Sequence, residues 1–528
     1  MNTATLVKHI DPRLNLTADK QYTTSQGAYY ISKSEYSPNG TIGSAINFSC
    51  NPPNRNIVIS RQVIKKVTFR VDITADTKAG NVNSNLFPAF SIAPAYMPVV
   101  RVTDNESMKI GNDTITSQNS NIVREALCRY ECDEPYSGSP NMNDTYQRFN
   151  DVANAVRSGL AGYGDSWGDN TSRRAFISFA DNAGLATQTG ANAGDAIATT
   201  LTFTVEEPIF MSPFVFGKDA DMAEGFYGIE TMHYYCNFGN LQNAFNYDPV
   251  VMNATVDNFV ANVSISDFSL VFKYLTPQVN QPIPRNALFS YYEPYVRTNT
   301  QLTVNAGVTT GVQTINLQLS GIPRRIVMLM RDTKTDGSTP LRYLSLVEDS
   351  MNIKINNQPS FLNQSNQQIY EMCKRNGLQL SKSQWEYYTG SVIVVDVGAG
   401  DLALMPEQAP GVSQKNQFEF SARFKNTSTD AIDAEFVVIT IFDGLFRMED
   451  GNCRHEVNPL TEQAILATPT NTDLEQDHSP DNVYGGGLRS GLRRTRGTTE
   501  HKSNMSGSGL QPVSGGRAVS RASLRSRY

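Results

Sequence analysis

Val67-Thr68-Phe69-Arg70-Val71-Asp72-Ile73-Thr74 alternates without a break between apolar and polar side chains. Successive side chains of an extended chain point to opposite faces, so this octapeptide carries one apolar and one polar row and reads as a half-buried β-strand. The same period recurs at Leu201, Phe203 and Val205, at Val263 and Ile265, and at Ile315, Leu317 and Leu319. It returns at Met351, Ile353 and Ile355 and at Phe418, Phe420, Ala422 and Phe424. Asn39-Gly40, Pro52-Pro53, Asp336-Gly337 and Asp443-Gly444 read as turns between such strands. Many strands and few helices argue for sandwiches or barrels over a βαβ fold.

Two short helices are expected inside long connections. Ser365-Asn366-Gln367-Gln368 is a capping box, in which hydroxyl and amide each satisfy an orphan N–H. Ile369, Met372 and Cys373 then form an apolar face before Asn376-Gly377 stops the helix. A second helix is predicted from about Ile122 to Cys132, burying Ile122, Val123, Ala126 and Leu127.

The chain is weakly duplicated. Ile46-Asn47-Phe48-Ser49, with Pro, Asn and Arg residues and a long strand after it, is echoed by Ile315-Asn316-Leu317-Gln318, Ile322-Pro323-Arg324-Arg325 and a strand from Ile326 to Met330. Each half closes on a long strand, Val263 to Leu275 and Ala434 to Arg447. Between them, three prolines in Thr276-Pro277-Gln278-Val279-Asn280-Gln281-Pro282-Ile283-Pro284-Arg285 oppose ladder pairing and favour an extended linker. The expected division is an N-terminal arm over 1–40, a first β domain over 41–280, a second over 281–450, and a C-terminal extension over 451–528 that is disordered and basic from 485. The first domain carries a long Gly-, Asn- and Asp-rich loop over 157–200, a natural place for surface recognition.

Charge divides the chain differently. Residues 485–528 hold nine Lys and Arg residues against Glu500 alone, a net +8, whereas the whole protein is −6, which leaves −14 for residues 1–484. Gly/Ser runs with few apolar residues cannot bury enough surface to offset ordering entropy, so the segment reads as a flexible basic arm. Such an arm suits phosphate through Arg489, Arg493, Arg494, Arg496, Arg521, Arg525 and Arg527. With Tyr528 as its aromatic it lacks stacking platforms for bases. No apolar run approaches the roughly 18 residues of a membrane helix. The first residues lack the apolar core of a secretory signal. Six dispersed cysteines, at 50, 128, 132, 236, 373 and 453, then favour free thiols.

Catalytic and metal signals are weak. Val397-Gly398-Ala399-Gly400-Asp401-Leu402-Ala403 imitates a dinucleotide-binding fingerprint, but Pro406 and Pro410 come too soon for the helix it requires, so it reads as a strand running into a turn. Cys128-x3-Cys132 and His233-x2-Cys236 offer soft ligands without a strong zinc spacing. A thiol triad would draw on five histidines, at 9, 233, 455, 478 and 501, with no nucleophile elbow. The acid pair Glu206-Glu207 reads as solvated or strand-end. No enzyme, cofactor or metal site is expected.

Four segments carry a family likeness. They are Phe48-Ser49-Cys50-Asn51-Pro52-Pro53 leading to the strand at Val67–Ile73; Leu275 to Pro284 with Phe289, Tyr291, Tyr292 and Tyr295 after it; Gln368-Ile369-Tyr370-Glu371, Asn376-Gly377 and Trp385-Glu386-Tyr387; and Val438-Ile439-Thr440-Ile441-Phe442-Asp443-Gly444. In their order and spacing the chain resembles the double jelly-roll major capsid proteins of virophages and polinton-like viruses, over about residues 40–450. The resemblance implies an all-β fold of two tandem eight-stranded jelly rolls, with short helices in inter-strand loops. It also implies a homotrimer that looks hexagonal from outside and tiles the icosahedral shell of a double-stranded DNA virus, meeting neighbouring capsomers, penton and other minor capsid proteins. The location implied is the virion capsid, assembled inside the infected cell. A capsid maturation protease of some such viruses cuts near Gly-Gly or Gly-x-Gly, which makes Gly486, Gly487, Ser508 and Gly509 candidate processing positions and packaged DNA a candidate partner of the arginines. The rival reading is a virion spike or receptor-binding β protein using the 157–200 loop.

Overall fold

The computed structural model describes residues 27–77, 92–94, 98–129, 176–178, 196–214, 224–247, 256–279, 286–299, 302–333, 344–355, 358–362, 364–378, 381–383, 385–386, 390–398, 402, 404–405, 408–427 and 431–468. The first eight long strands are β1 (Tyr30–Tyr36), β2 (Ala45–Ser49), β3 (Ile64–Thr77), β4 (Thr103–Ile110), β5 (Asp113–Gln118), β6 (Ala196–Pro208), β7 (Met232–Phe238) and β8 (Val256–Thr276). They form two antiparallel sheets, ordered β1-β8-β3-β6 and β2-β7-β4-β5. The next eight are β9 (Asn286–Thr298), β10 (Thr309–Leu319), β11 (Arg325–Asp332), β12 (Asn352–Ile355), β13 (Gln358–Leu362), β14 (Ile393–Asp396), β15 (Asn416–Lys425) and β16 (Ile432–Glu449). Their sheets run β9-β16-β11-β14 and β10-β15-β12-β13. Each set of eight thus repeats the order 1-8-3-6 over 2-7-4-5, the crossed pattern of a jelly roll. The duplicated segments occupy equivalent places, since β2 and β10 are the second strands, β3 and β11 the third, and β8 and β16 the last.

Alternation builds the first sandwich as expected. Val67, Phe69, Val71 and Ile73 are buried, and the β3–β6 register sets Val67 beside Val205 and Phe69 beside Phe203, whose rings stack at 5.2 Å. Ile46 and Phe48 on β2 and Met232, Tyr234, Cys236 and Phe238 on β7 face them from the other sheet. The second sandwich departs from this pattern. Arg325–Met330, Ile393–Asp396 and Phe436–Phe442 are buried at every position, because the β11-β14 end of that sheet is covered on its outer face as well. The cover is α3 (Asn366–Arg375) with Trp385: Asn376 Nδ2 donates to the Val394 carbonyl at 2.8 Å and Trp385 Nε1 to that of Val392 at 2.7 Å. A strand buried on both faces reads as a continuous apolar run.

The capping box forms as read, with Ser365 as N-cap, and Ile369, Met372 and Cys373 are buried. The other predicted helix begins two residues early, as α2 (Ser120–Arg129), after the five-residue α1 (Pro98–Val102); Ile122, Val123 and Ala126 are buried, and residues 130–132 lie outside the described residues. Asp443-Gly444 is not a turn but lies within β16. A Cβ on Gly444 would stand 2.5 Å from the Glu456 carbonyl oxygen, so this glycine marks a close backbone approach instead. β1 lies inside the stretch read as an N-terminal arm and pairs with β8 along its whole length, while β17 (Asn452–Val457) and α4 (Glu462–Leu466) extend order past residue 450. Apart from 176–178 and 196–200, the loop over 157–200 falls outside the described residues.

Across the second core, Phe420 on β15 stacks on Phe436 on β16 with centroids 5.1 Å apart. Phe436→Ala is expected to destabilise the protein by about 3–5 kcal/mol, read as a fall in denaturant or thermal midpoint.

Candidate functional site: the seam between the two sandwiches

The residues that join the sandwiches come from strand ends and tight turns. Phe289 and Tyr291 on β9, Phe446 and Met448 on β16 and Cys453 on β17 belong by chain position to the second sandwich, yet they are buried in the core of the first. Phe226 receives them, with centroids 5.5 Å from Phe289 and 6.0 Å from Phe446 in edge-on and tilted contacts, and Phe214 closes the cluster at 5.4 Å from Phe226. The Arg61 guanidinium lies 4.6 Å above the Phe289 ring and donates to the Pro213 carbonyl at 3.1 Å. Ser212 Oγ accepts the Tyr292 N–H at 3.0 Å.

Beside this cluster, backbones meet. Gly111 opens the β4–β5 turn and Gly451 the β16–β17 turn, while Gly228 precedes β7; all three have positive φ, at 60°, 84° and 71°. A Cβ on Gly451 would fall 2.2 Å from the Gly228 carbonyl oxygen, and one on Gly111 3.0 Å from the Gly451 oxygen. Asn112 Oδ1 accepts the Cys453 N–H at 2.8 Å, and Asp113 Oδ2 accepts both the backbone N–H and Nδ1–H of His455 at 2.7 Å. Asp113, His455 and Cys453 are the residue types of a thiol triad, but burial pushes the Cys453 thiol up to about 12. A catalytic thiol needs the opposite shift, so the group acts as a hydrogen-bonded joint. Burial likewise raises Cys50 to about 12 and Cys236 to about 11, and these buried thiols, like that of buried Cys373, are in no disulfide.

His233 and Cys236 do not converge, because alternation on β7 leaves His233 exposed and turns Cys236 inward. After β14 an isolated bridge joins Val397 to Leu402, residues 399–401 and 403 lie outside the described residues, and β14 is antiparallel to β11, not part of a parallel nucleotide-binding sheet. Gly486, Gly487, Ser508, Gly509 and the seven tail arginines lie outside the described residues, as does Cys132.

Sequence reading missed the buried charges. Lys65 and Glu207 are cross-strand partners on β3 and β6, both fully buried, so Glu207 lies at a strand end as read but is not solvated. Its carboxylate accepts the N–H groups of Val99 at 2.8 Å and Val100 at 2.9 Å, where α1 begins. Lys65 Nζ reaches across to Glu106 Oε2 on β4 at 3.2 Å, and the Tyr234 hydroxyl donates to the same oxygen at 2.7 Å. In the second sandwich Arg325 on β11 grips Asp396 on β14 through two hydrogen bonds, at 2.6 and 3.1 Å. The available signal was register: Lys65 stands two residues before Val67 and Glu207 two after Val205, in the same inward rows.

Two jelly rolls in tandem, with side chains of the second buried in the core of the first, define a double jelly-roll protein. The family model described as Sputnik virophage major capsid protein 1st domain matches residues 3–275, and that described as major capsid protein V20 C-terminal domain matches residues 292–390. The chain belongs to this family of virophage major capsid proteins, whose members build shells and are not enzymes. It is 20% identical to a putative capsid protein V20 of Sputnik virophage over 524 residues, covering 92% of this chain and 85% of that protein. A cryo-EM structure of the Sputnik virophage matches with a TM-score of 0.71 at 19% identity, covering 91% of this chain and 99% of the other. The crystal structure of mavirus major capsid protein matches with a TM-score of 0.66 at 15% identity, over 89% and 99%. At these identities the structural likeness speaks for the fold.

Gly451→Val should open the seam, because its side chain meets the Gly228 carbonyl and its backbone favours glycine. The expected outcome is a lower unfolding midpoint and faster limited proteolysis between residues 277 and 285, against unchanged behaviour for Gly43→Ala, whose Cβ would meet nothing within 4 Å on a backbone outside the left-handed region.

Proposed function

We propose that this major capsid protein forms homotrimers whose six jelly rolls give a pseudo-hexameric outline, and that such capsomers tile an icosahedral shell. The observation that carries the reading is the repeated strand order, 1-8-3-6 over 2-7-4-5, in two sandwiches within one compact unit. Two similar rolls per chain turn a three-fold assembly into a six-sided tile, and a closed shell then needs repeated contacts between like edges and no chemistry. A division in the 276–285 segment suits this use, with β1 at Tyr30–Tyr36 joining the 41–280 part so that each side supplies one roll. Minor capsid and penton proteins would fill the positions a six-sided tile cannot.

The basic segment is assigned to the packaged genome, on the strength of its nine Lys and Arg residues against one Glu. Its Gly486-Gly487 and Ser508-Gly509 sequences are candidate cuts for a maturation protease. Their Gly/Ser character suits an accessible cleavage site.

Light scattering behind a sizing column should give a species near three times 58.3 kDa with a six-sided outline in negative stain. A stable monomer would reject the capsomer reading. A variant lacking residues 485–528 should keep that assembly and lose most of its salt-sensitive DNA binding, and equal binding by both proteins would sink the genome contact.

A further inference from the structure

Lys65 and Glu106 place an amine and a carboxyl in contact in the fully buried core of the first sandwich. Both side chains are 0% exposed, and they come from opposite sheets of the first sandwich, β3 and β4. As an ion pair the arrangement is poor. Lys65 Nζ contacts Glu106 Oε2 at 3.2 Å, and Tyr234 donates to that same oxygen, while Glu106 Oε1 is buried without a hydrogen-bond partner. A carboxylate taken out of water with one oxygen bare carries a desolvation cost that Coulomb attraction to a single ammonium does not readily offset.

We propose that Lys65 and Glu106 condense to an intramolecular amide that staples the two sheets of the first jelly roll. The ammonium passes a proton to the carboxylate along their contact, leaving a neutral amine and a neutral acid. The Nζ lone pair then adds to Glu106 Cδ, a C–N bond forms, a C–O bond breaks, and the hydroxyl leaves with a proton from nitrogen as water. Ammonium and carboxylate become amide and one water, so charge and protons balance and no oxidant or co-reactant is needed. The core supplies what such a reaction lacks in solution. Well-oriented partners held together reach effective concentrations on the order of 10⁵ M or more, and the product removes two charges from an apolar interior. Burial holds the Tyr234 hydroxyl protonated, so it remains a donor to Glu106 Oε2, the oxygen that takes the proton from Lys65 and leaves as water.

Two neighbouring groups set the specificity. Glu207, the cross-strand partner of Lys65, has both oxygens engaged by the Val99 and Val100 N–H groups, which keeps its carboxyl turned to α1. The corresponding pair of the second sandwich, Arg325 with Asp396, has a guanidinium in place of the amine, and a guanidinium that stays protonated is no nucleophile. A bond is therefore expected in the first roll and not in the second.

The test uses the purified full chain. Denatured and measured intact, it should be one water lighter than its sequence. Tryptic digestion should fail to cut after Lys65 and should yield a branched peptide joining Lys65 to Glu106, identified by fragmentation. Lys65→Met should restore the full mass. If that variant does not fold, the digest of the unaltered protein still decides. Full intact mass, together with ordinary cleavage after Lys65 and a linear peptide carrying unmodified Glu106, would overturn the proposal and leave a plain ion pair.

Discussion

The burial of Phe289, Tyr291, Phe446 and Met448 in the core of the first sandwich is the contact on which the rest of the molecule depends. A sandwich of eight strands buries its own inward rows and needs no neighbour for that. Here the first core is completed by residues from the strands that open and close the second, and the second core takes in Val100, Ile122, Val123 and Ala126 from α1 and α2, so neither half has a finished apolar interior alone. Aromatic side chains suit this role because each buries a large area in a fixed geometry, and edge-on contacts such as Phe226 with Phe289 add to simple burial. Rolls joined only by the proline-bearing linker would be free to reorient, and a subunit used as a tile has to keep one shape.

The polar contacts at the seam provide direction where the aromatic ones provide adhesion. The three glycines let backbones approach to distances that no side chain would permit, and Asn112 and Asp113 then satisfy N–H groups of β17 that this approach removes from water. A shift of one residue along β17 would turn Cys453 and His455 to the wrong face and leave those groups unpaired. Packing and hydrogen bonding therefore select the same relative placement of the two rolls.

Each roll also places two buried charged residues opposite each other on its third and sixth strands, Lys65 with Glu207 in register and Arg325 with Asp396 hydrogen-bonded. Buried pairs of this kind add little net stability over well-packed apolar residues, but a slipped register would strand a charge in the core at a cost of several kcal/mol. Their equivalent placement agrees with the duplicated pattern of the chain. Their chemistry differs, since Arg325 meets its partner through a two-pronged guanidinium while Lys65 is drawn across the sandwich to Glu106 and Tyr234.

The sequence by itself determined the strands whose two faces differ, because alternation is a local property: Val67 to Ile73, Phe418 to Phe424 and the capping box at Ser365 are legible for that reason. It also showed the duplication, since equivalent strands carry similar punctuation, and four segments sufficed for the family likeness. Tertiary structure decided what depends on partners distant in the chain. The run at Ile393–Asp396 is buried on both faces because α3 and Trp385 cover it, Gly444 in β16 has β17 pressed against it, and Glu207 is buried where its carboxylate caps α1. The seam was out of reach of local reading for the same reason. Phe226, Phe289 and Phe446 are each ordinary core residues in sequence, and only the folding of the chain back on itself brings strands from both halves to one cluster.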